Sequence, residues 1–172
     1  VDISQYRQTE RELRTYTAEL NERVKELRTL YEISRLTDDA EMTEQGYLER
    51  VVARLPPGWQ YSDDACARID LGQQTYVTDN YRVTDWQQRS PIFINGDAIG
   101  EVIVGYLTEH PAADEGPFLS EERSLITEIA RIIGRFVALN LAIMEFQESE
   151  ERFRAIFVQA AVGLAQVTPE GG

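Results

Sequence analysis

Apolar residues recur in alternating steps of three and four at both ends of this 172-residue chain, around a middle that alternates in twos. At the N-terminal end the positions 3, 10, 17, 24, 31 and 6, 13, 20, 27, 34 supply Ile3, Tyr6, Leu13, Leu20, Val24, Leu27 and Tyr31, with lapses at Glu10, Thr17 and Ser34. At the other end Leu125, Ile129, Ile132, Phe136, Leu139, Ile143 and Phe146 repeat the spacing. Such seams, flanked by Glu, Arg and Lys, are what helices need to bury against partner helices. Residues 1 to about 36 contain neither Gly nor Pro and predict one helix. From Leu30 a second stripe, Leu30, Ile33 and Leu36, runs beside the seam, so this helix must touch two things: a partner helix and its own domain. Thr37-Asp38-Asp39 ends the run.

A short amphipathic helix follows, carrying Tyr47, Leu48, Val51, Val52 and Leu55, and Pro56-Pro57-Gly58 stops it. Strands are predicted at Ala65 to Leu71, Gln74 to Thr78, Pro91 to Ile94 and Ala98 to Leu107. Gly72 marks the first turn, and Asn95-Gly96-Asp97 is a hairpin signal. The last strand is apolar on both faces, so it is expected to be central and covered on both sides. After a loop at 108–118, Ser120 is expected to cap a closing helix with Glu121 to Arg123 in its first turn. That helix is expected to run to about Glu150, roughly 30 residues or about 45 Å.

The first half of the closing helix must pack on the sheet, and Ile126, Ile133 and Val137 are its core stripe. The seam nevertheless continues through Leu139, Ile143 and Phe146, beyond any plausible contact within so small a domain. A parallel homodimer is therefore expected, with a four-helix bundle formed by the terminal helices of two chains. Its interface residues are Leu13, Leu20, Val24, Leu27, Tyr31, Ile132, Phe136, Leu139, Ile143 and Phe146. Asn140, beside the seam, is placed to set register. The fold class is α+β: an antiparallel sheet packed on N- and C-terminal helices that extend into coiled coils.

Composition narrows the partners. The net charge of −13 argues against nucleic acid, which requires a basic face. One cysteine, Cys66, excludes an internal disulfide and fits a reducing, cytoplasmic setting. No apolar run reaches the roughly 18 residues of a membrane span, although spans outside this segment would leave the parent protein membrane-anchored.

The order of elements resembles a GAF domain, and local text sharpens the resemblance. Leu-Tyr-Glu-Ile-Ser-Arg-Leu at 30–36, Leu-Pro-Pro-Gly-Trp-Gln-Tyr at 55–61, Ala-Cys-Ala-Arg-Ile at 65–69 and Gly-Pro-Phe-Leu-Ser-Glu-Glu-Arg at 116–123 resemble GAF modules of bacterial sensor histidine kinases and related regulators. Residues 151–167 and the Pro-Glu-Gly that follows resemble the opening of a PAS domain. The implied organisation is a coiled-coil signalling helix at 1–29, a GAF-like domain at 30–145, and a linker helix with a truncated PAS start at 146–172. Without the rest of that domain, residues 151–172 are expected to be disordered or sheltered by a neighbouring chain.

The resemblance implies a regulatory input module. Some GAF domains hold cyclic nucleotides, bilins, haem or metabolites on the sheet face away from the terminal helices. Here Cys66 lies within a strand with no His beside it, and the family's Asn-Lys-Phe-Asp-Glu series has no counterpart. Only residues 79 to 90 join the second and third strands, too few for the helices that lid the pocket in ligand-binding relatives. No cofactor is expected.

The remaining candidates are weak pocket residues: Trp59, Arg68, Tyr76 and Trp86, with Tyr61, Tyr81 and Arg82 nearby in sequence. Aromatic side chains can line a small-molecule pocket or close a core. Whether Arg68 and Tyr76 share a face turns on the loop at Gly72, since two- and three-residue loops give opposite answers. His110, in a loop before Pro111, lacks the helical setting of a phospho-accepting histidine. Asp38-Asp39 and Asp63-Asp64 are adjacent carboxylates of the kind usually solvated, not converging metal ligands. No phosphate loop or nucleophile elbow is present, so an enzyme is not expected.

Three readings follow. The first is a dimeric signal-transduction module, of a histidine kinase or related regulator, that relays a conformational change to downstream domains of its own chain. The second is a small-molecule sensor with a pocket between the sheet and residues 79–90. The third is an inert dimerisation scaffold.

Overall fold

The computed structural model describes residues 2–166. Helix α1 (Ile3–Leu36) opens on Asp2, whose carboxylate accepts from the Ser4 N–H, and closes at Thr37. Of the predicted second stripe, Ile33 and Leu36 are buried and Leu30 is half-buried, with Thr29 buried beside them, while the seam side chains from Ile3 to Tyr31 stand 49–71% exposed. Helix α2 (Glu44–Arg54) is capped by Thr43 and buries Tyr47, Leu48, Val51 and Val52 against strands β1 and β2. The proline pair then turns the chain through a short 3-10 segment, Pro56–Gly58.

Four strands form one antiparallel sheet: β1 (Ala65–Leu71), β2 (Gln74–Val77), β3 (Gln87–Ile94) and β4 (Asp97–Tyr106), in the order β2-β1-β4-β3. β4 is indeed central, and its second half, Val102 to Tyr106, is buried on both faces. Both hairpin loops have two residues. Asn95 and Gly96 each take positive φ (52° and 88°), the backbone that an Asn-Gly turn supplies at low cost. β3 begins four residues earlier than its apolar run. Its first half, Gln87-Gln88-Arg89-Ser90, carries no strand pattern of its own and is held by pairing with Val102 to Gly105.

The register sorts side chains onto two faces. Ala65, Ala67, Ile69 and Leu71 of β1 share one face with Tyr76, Gln88, Ser90, Ile92, Val102, Val104 and Tyr106. This face carries the core with the helices. The reverse face holds Cys66, Arg68, Asp70, Thr75, Arg89, Glu101 and Ile103.

Helix α3 (Ser120–Gln166) is longer than expected and includes residues 151–166, which are helical with exposed side chains through Leu164. Residues 167–172, the end of the stretch resembling a PAS domain, lie outside the described residues. Ser120 is the first helical residue, not the cap. Asp114 accepts from its N–H, and the Glu122 carboxylate reaches back to the Leu119 N–H. Leu125, Ile126, Ile129 and Ile133 are buried. At Gly134, an added Cβ would lie 2.5 Å from the Phe93 carbonyl oxygen, so only glycine fits α3 this close to β3. By contact, the chain divides into two compact units, Val1–Arg135 and Phe136–Gly172. No described helix is long and apolar enough to cross a membrane.

Candidate functional site

The seams are the first candidate. On α1, Leu13, Leu20, Val24, Leu27 and Tyr31 lie on one side, all about half exposed or more. A row of arginines, Arg7, Arg14, Arg28 and Arg35, follows four of the seam positions by one residue and is exposed. On α3, Leu139, Ile143 and Phe146 are 60%, 46% and 70% exposed. Ile132 and Phe136 differ, at 8% exposed each. Exposed apolar side chains on the seam resume at Leu139.

The weak pocket candidates do not converge. Trp59 is fully buried on the helix-covered side, its indole N–H donating to Gln88 Oε1 at 3.2 Å. Tyr76 lies opposite Ile69 on that same face. Arg68, opposite Val77, lies on the reverse face, because the loop at Gly72 has two residues. Its guanidinium is occupied there, 2.9 Å from Asp70 and 5.9 Å from the centre of the Tyr81 ring. Trp86, half-buried, gives its carbonyl to the Tyr106 N–H. The segment between β2 and β3 is bound onto the sheet through Asn80 to the Ala65 carbonyl and Arg82 to that of Leu107. Cys66 is buried, its thiol directed at the Arg82 carbonyl. Among the described residues, the principal clefts touch none of Trp59, Arg68, Tyr76 and Trp86. One, of about 580 Å³, is an open, charged groove between α1 and the approach to α3, lined by Tyr16, Glu19, Arg23, Gln60, Asp114 and Glu121 among others.

A second constellation was not apparent in the sequence. Glu122, in the first turn of α3, is 3% exposed. Its carboxylate accepts from the Gln60 N–H (2.7 Å), the Tyr106 hydroxyl (3.0 Å) and the Leu119 N–H (2.8 Å). Burial pushes this carboxyl above the ordinary glutamate range, against the three hydrogen bonds that favour its charged form. Burial likewise raises the Tyr106 phenol, helped by the neighbouring Glu122 charge. Beside it a chain of polar groups runs from Trp59 through Gln88 to Glu115 and Arg123, whose guanidinium also donates to the Arg89 carbonyl. Arg123 holds the Glu115 carboxyl below its usual range. Together these bonds tie the start of α3 to the sheet and to the segment after α2. The helical spacing marks Glu121, Glu122 and Arg123 only as first-turn charges; a glutamate followed by three more apolar steps toward the core is the faint signal that one of them is buried.

His110 belongs to a third cluster. Its Nε2 lies 2.6 Å from Asp64 Oδ2, and its ring stacks on Tyr61 with centres 3.8 Å apart. Burial works against the charge on Asp64, but hydrogen bonds from Thr108 and His110 prevail and hold its carboxyl below the ordinary aspartate range. The Thr108 hydroxyl donates to Asp64. The cluster fastens the end of β4. Among the described residues no group of three or more His, Cys, Asp or Glu side chains is arranged to hold a metal.

Comparison with protein-family models, with curated proteins and with solved structures finds no match for this chain.

Proposed function

We propose that this chain is a dimeric, GAF-like regulatory module of a signal-transduction protein of the histidine-kinase type, with helical extensions that form coiled coils. Two copies pair in parallel through their seams, and a shift in the packing of α1 is relayed through the domain to α3 and the segments beyond. The observation that carries this reading is the exposure of the heptad seam on α1 beside a second stripe that its own domain buries. Seven apolar side chains, 49–71% exposed, offer several hundred Å² on each copy from α1 alone, within reach of the roughly 800 Å² per partner of a standard interface. Burying each contributes about 1.5–3 kcal/mol at full transfer.

Charge favours the parallel arrangement. In an antiparallel pair, the row Arg7, Arg14, Arg28 and Arg35 of one copy faces the same row of the other, and like charges repel. In a parallel pair that row meets Asp2, Thr9, Arg23 and Leu30, where Arg23 supplies the only like charge. Relay requires two helix packings within a few kcal/mol of each other, which a seam interrupted by Glu10, Thr17 and Ser34 accommodates.

Light scattering at micromolar concentration is the test. A dimeric mass that falls to the monomer in the Leu20→Glu, Leu27→Glu double variant, with unchanged helicity per folded domain, supports the reading. A monomeric wild-type chain overturns it.

A further inference from the structure

The spacing of the α3 seam continues past Phe146. From Phe136 through Leu139, Ile143 and Phe146, the next steps of four, three, four, three and four fall on Glu150, Phe153, Phe157, Ala160 and Leu164. All of these lie within the helix, which runs unbroken to Gln166. Phe153, Phe157 and Leu164 are 70%, 67% and 75% exposed, so the continued stripe is as open as the part before it. Glu150 is the one charged residue on it, and its carboxylate accepts from Arg154 Nη2 at 2.8 Å.

We propose that residues 139–164 pair in parallel with the same residues of a second copy through one continuous seam, with Glu150 and Arg154 as a charged layer that fixes its register and weakens it. This rests on the dimer reading above and extends it past the point where the resemblance to a PAS domain implies a new domain. Six exposed apolar side chains (Leu139, Ile143, Phe146, Phe153, Phe157 and Leu164) offer an area per copy comparable with the roughly 800 Å² of a standard interface half.

The positions flanking the seam place no like charges opposite each other in the parallel arrangement. The charged ones are Arg135 and Arg154, which fall against Asn140 and Ser149 of the other copy. In register the two Glu150 carboxylates face each other across the seam, a like-charge contact that weakens the layer and that each copy's own Arg154 offsets. A slip of one heptad sets Glu150 against Ile143 or Phe157 and buries its charge in an apolar layer, which is how one polar step selects a register.

Variants with one added cysteine in the full chain test this, with the wild type as background because its own Cys66 is buried. Facing seam positions in a parallel pair fall within the 4.4–6.8 Å Cα separation, roughly, that a disulfide spans. Under mild oxidation Leu139→Cys and Ala160→Cys are expected to form covalent dimers at least tenfold faster than Val162→Cys, which lies on the reverse of the helix. Glu150→Leu is expected to tighten dimerisation at least tenfold in sedimentation equilibrium. If Leu139→Cys cross-links and Ala160→Cys does not, or if Val162→Cys keeps pace, the continued seam is wrong while the dimer stands. If affinity is unchanged in Glu150→Leu, the charged layer is wrong. If no variant cross-links and the chain is monomeric in light scattering, the dimer reading itself fails.

Discussion

Glu122 shows how one buried carboxylate can fasten a helix to a sheet. Two backbone N–H groups and a phenol depend on its two oxygens. In Glu122→Gln the amide nitrogen must face one of those donors, so the variant is expected to lose about 1–3 kcal/mol at neutral pH, read by chemical denaturation. Its pH dependence has a definite sign. Burial raises this carboxyl above 4.5, so the folded chain binds the proton more tightly than the unfolded chain. The associated stability is complete below about pH 4.5 and is lost as pH climbs through the raised value. Glu122→Gln should remove that descent.

Asp64 has the opposite sign. Its carboxyl is held below 3.8, so its contribution is present above that value and disappears as pH falls through the lowered one. Asp64→Asn should therefore narrow its deficit to wild type only under acid conditions, in the same denaturation series. At this scale the sequence carried little. Glu121 and Glu122 are neighbours of the same type, and only the direction of each side chain relative to the core tells them apart.

Among the elements, those specified by neighbouring residues were legible. The Asn-Gly turn, the proline stop and the two stripes of α1 all act within a few residues, so their chemistry is written locally. The start of β3 and the end of α3 were not. Gln87 to Ser90 become strand because β4 offers them hydrogen-bonding partners, a condition set by residues a dozen positions away. Residues 151–166 read as the opening of another fold, yet they contain no Pro and extend the preceding helix. The close approach of α3 to β3 gives the prediction for this scale. Gly134→Ala should cost about 1–3 kcal/mol, because the new methyl meets a backbone oxygen that cannot give way as a flexible side chain can. Thermal and denaturant unfolding both read it.

For the whole molecule, the proposed relay predicts sensitivity to helical phase. In the full-length regulator, deleting seven residues from the exposed half of α1 preserves the orientation of the seam and should leave signalling output nearly intact. Deleting four rotates the seam relative to the domain and should lock or abolish it. Equal effects of the two deletions would reduce α1 to a tether. The sensor alternative makes a different prediction: a metabolite or nucleotide at 100 times its dissociation constant would stabilise the domain by about 2.7 kcal/mol in a thermal-shift screen. The division of Trp59 and Tyr76 from Arg68 by the sheet gives such a ligand no single face on which to meet all three.

By itself the sequence determined the periodicities: where helices and turns form, which helix faces are apolar, and that those faces outrun the small domain between them. These depend on side chains three or four positions apart and need no knowledge of the rest of the chain. Only the tertiary structure decided which face of the sheet each strand residue occupies, that Ile132 and Phe136 are buried, and that Glu122 is buried. Those outcomes depend on register and on contacts between segments distant in sequence, where a shift of one residue reverses the answer.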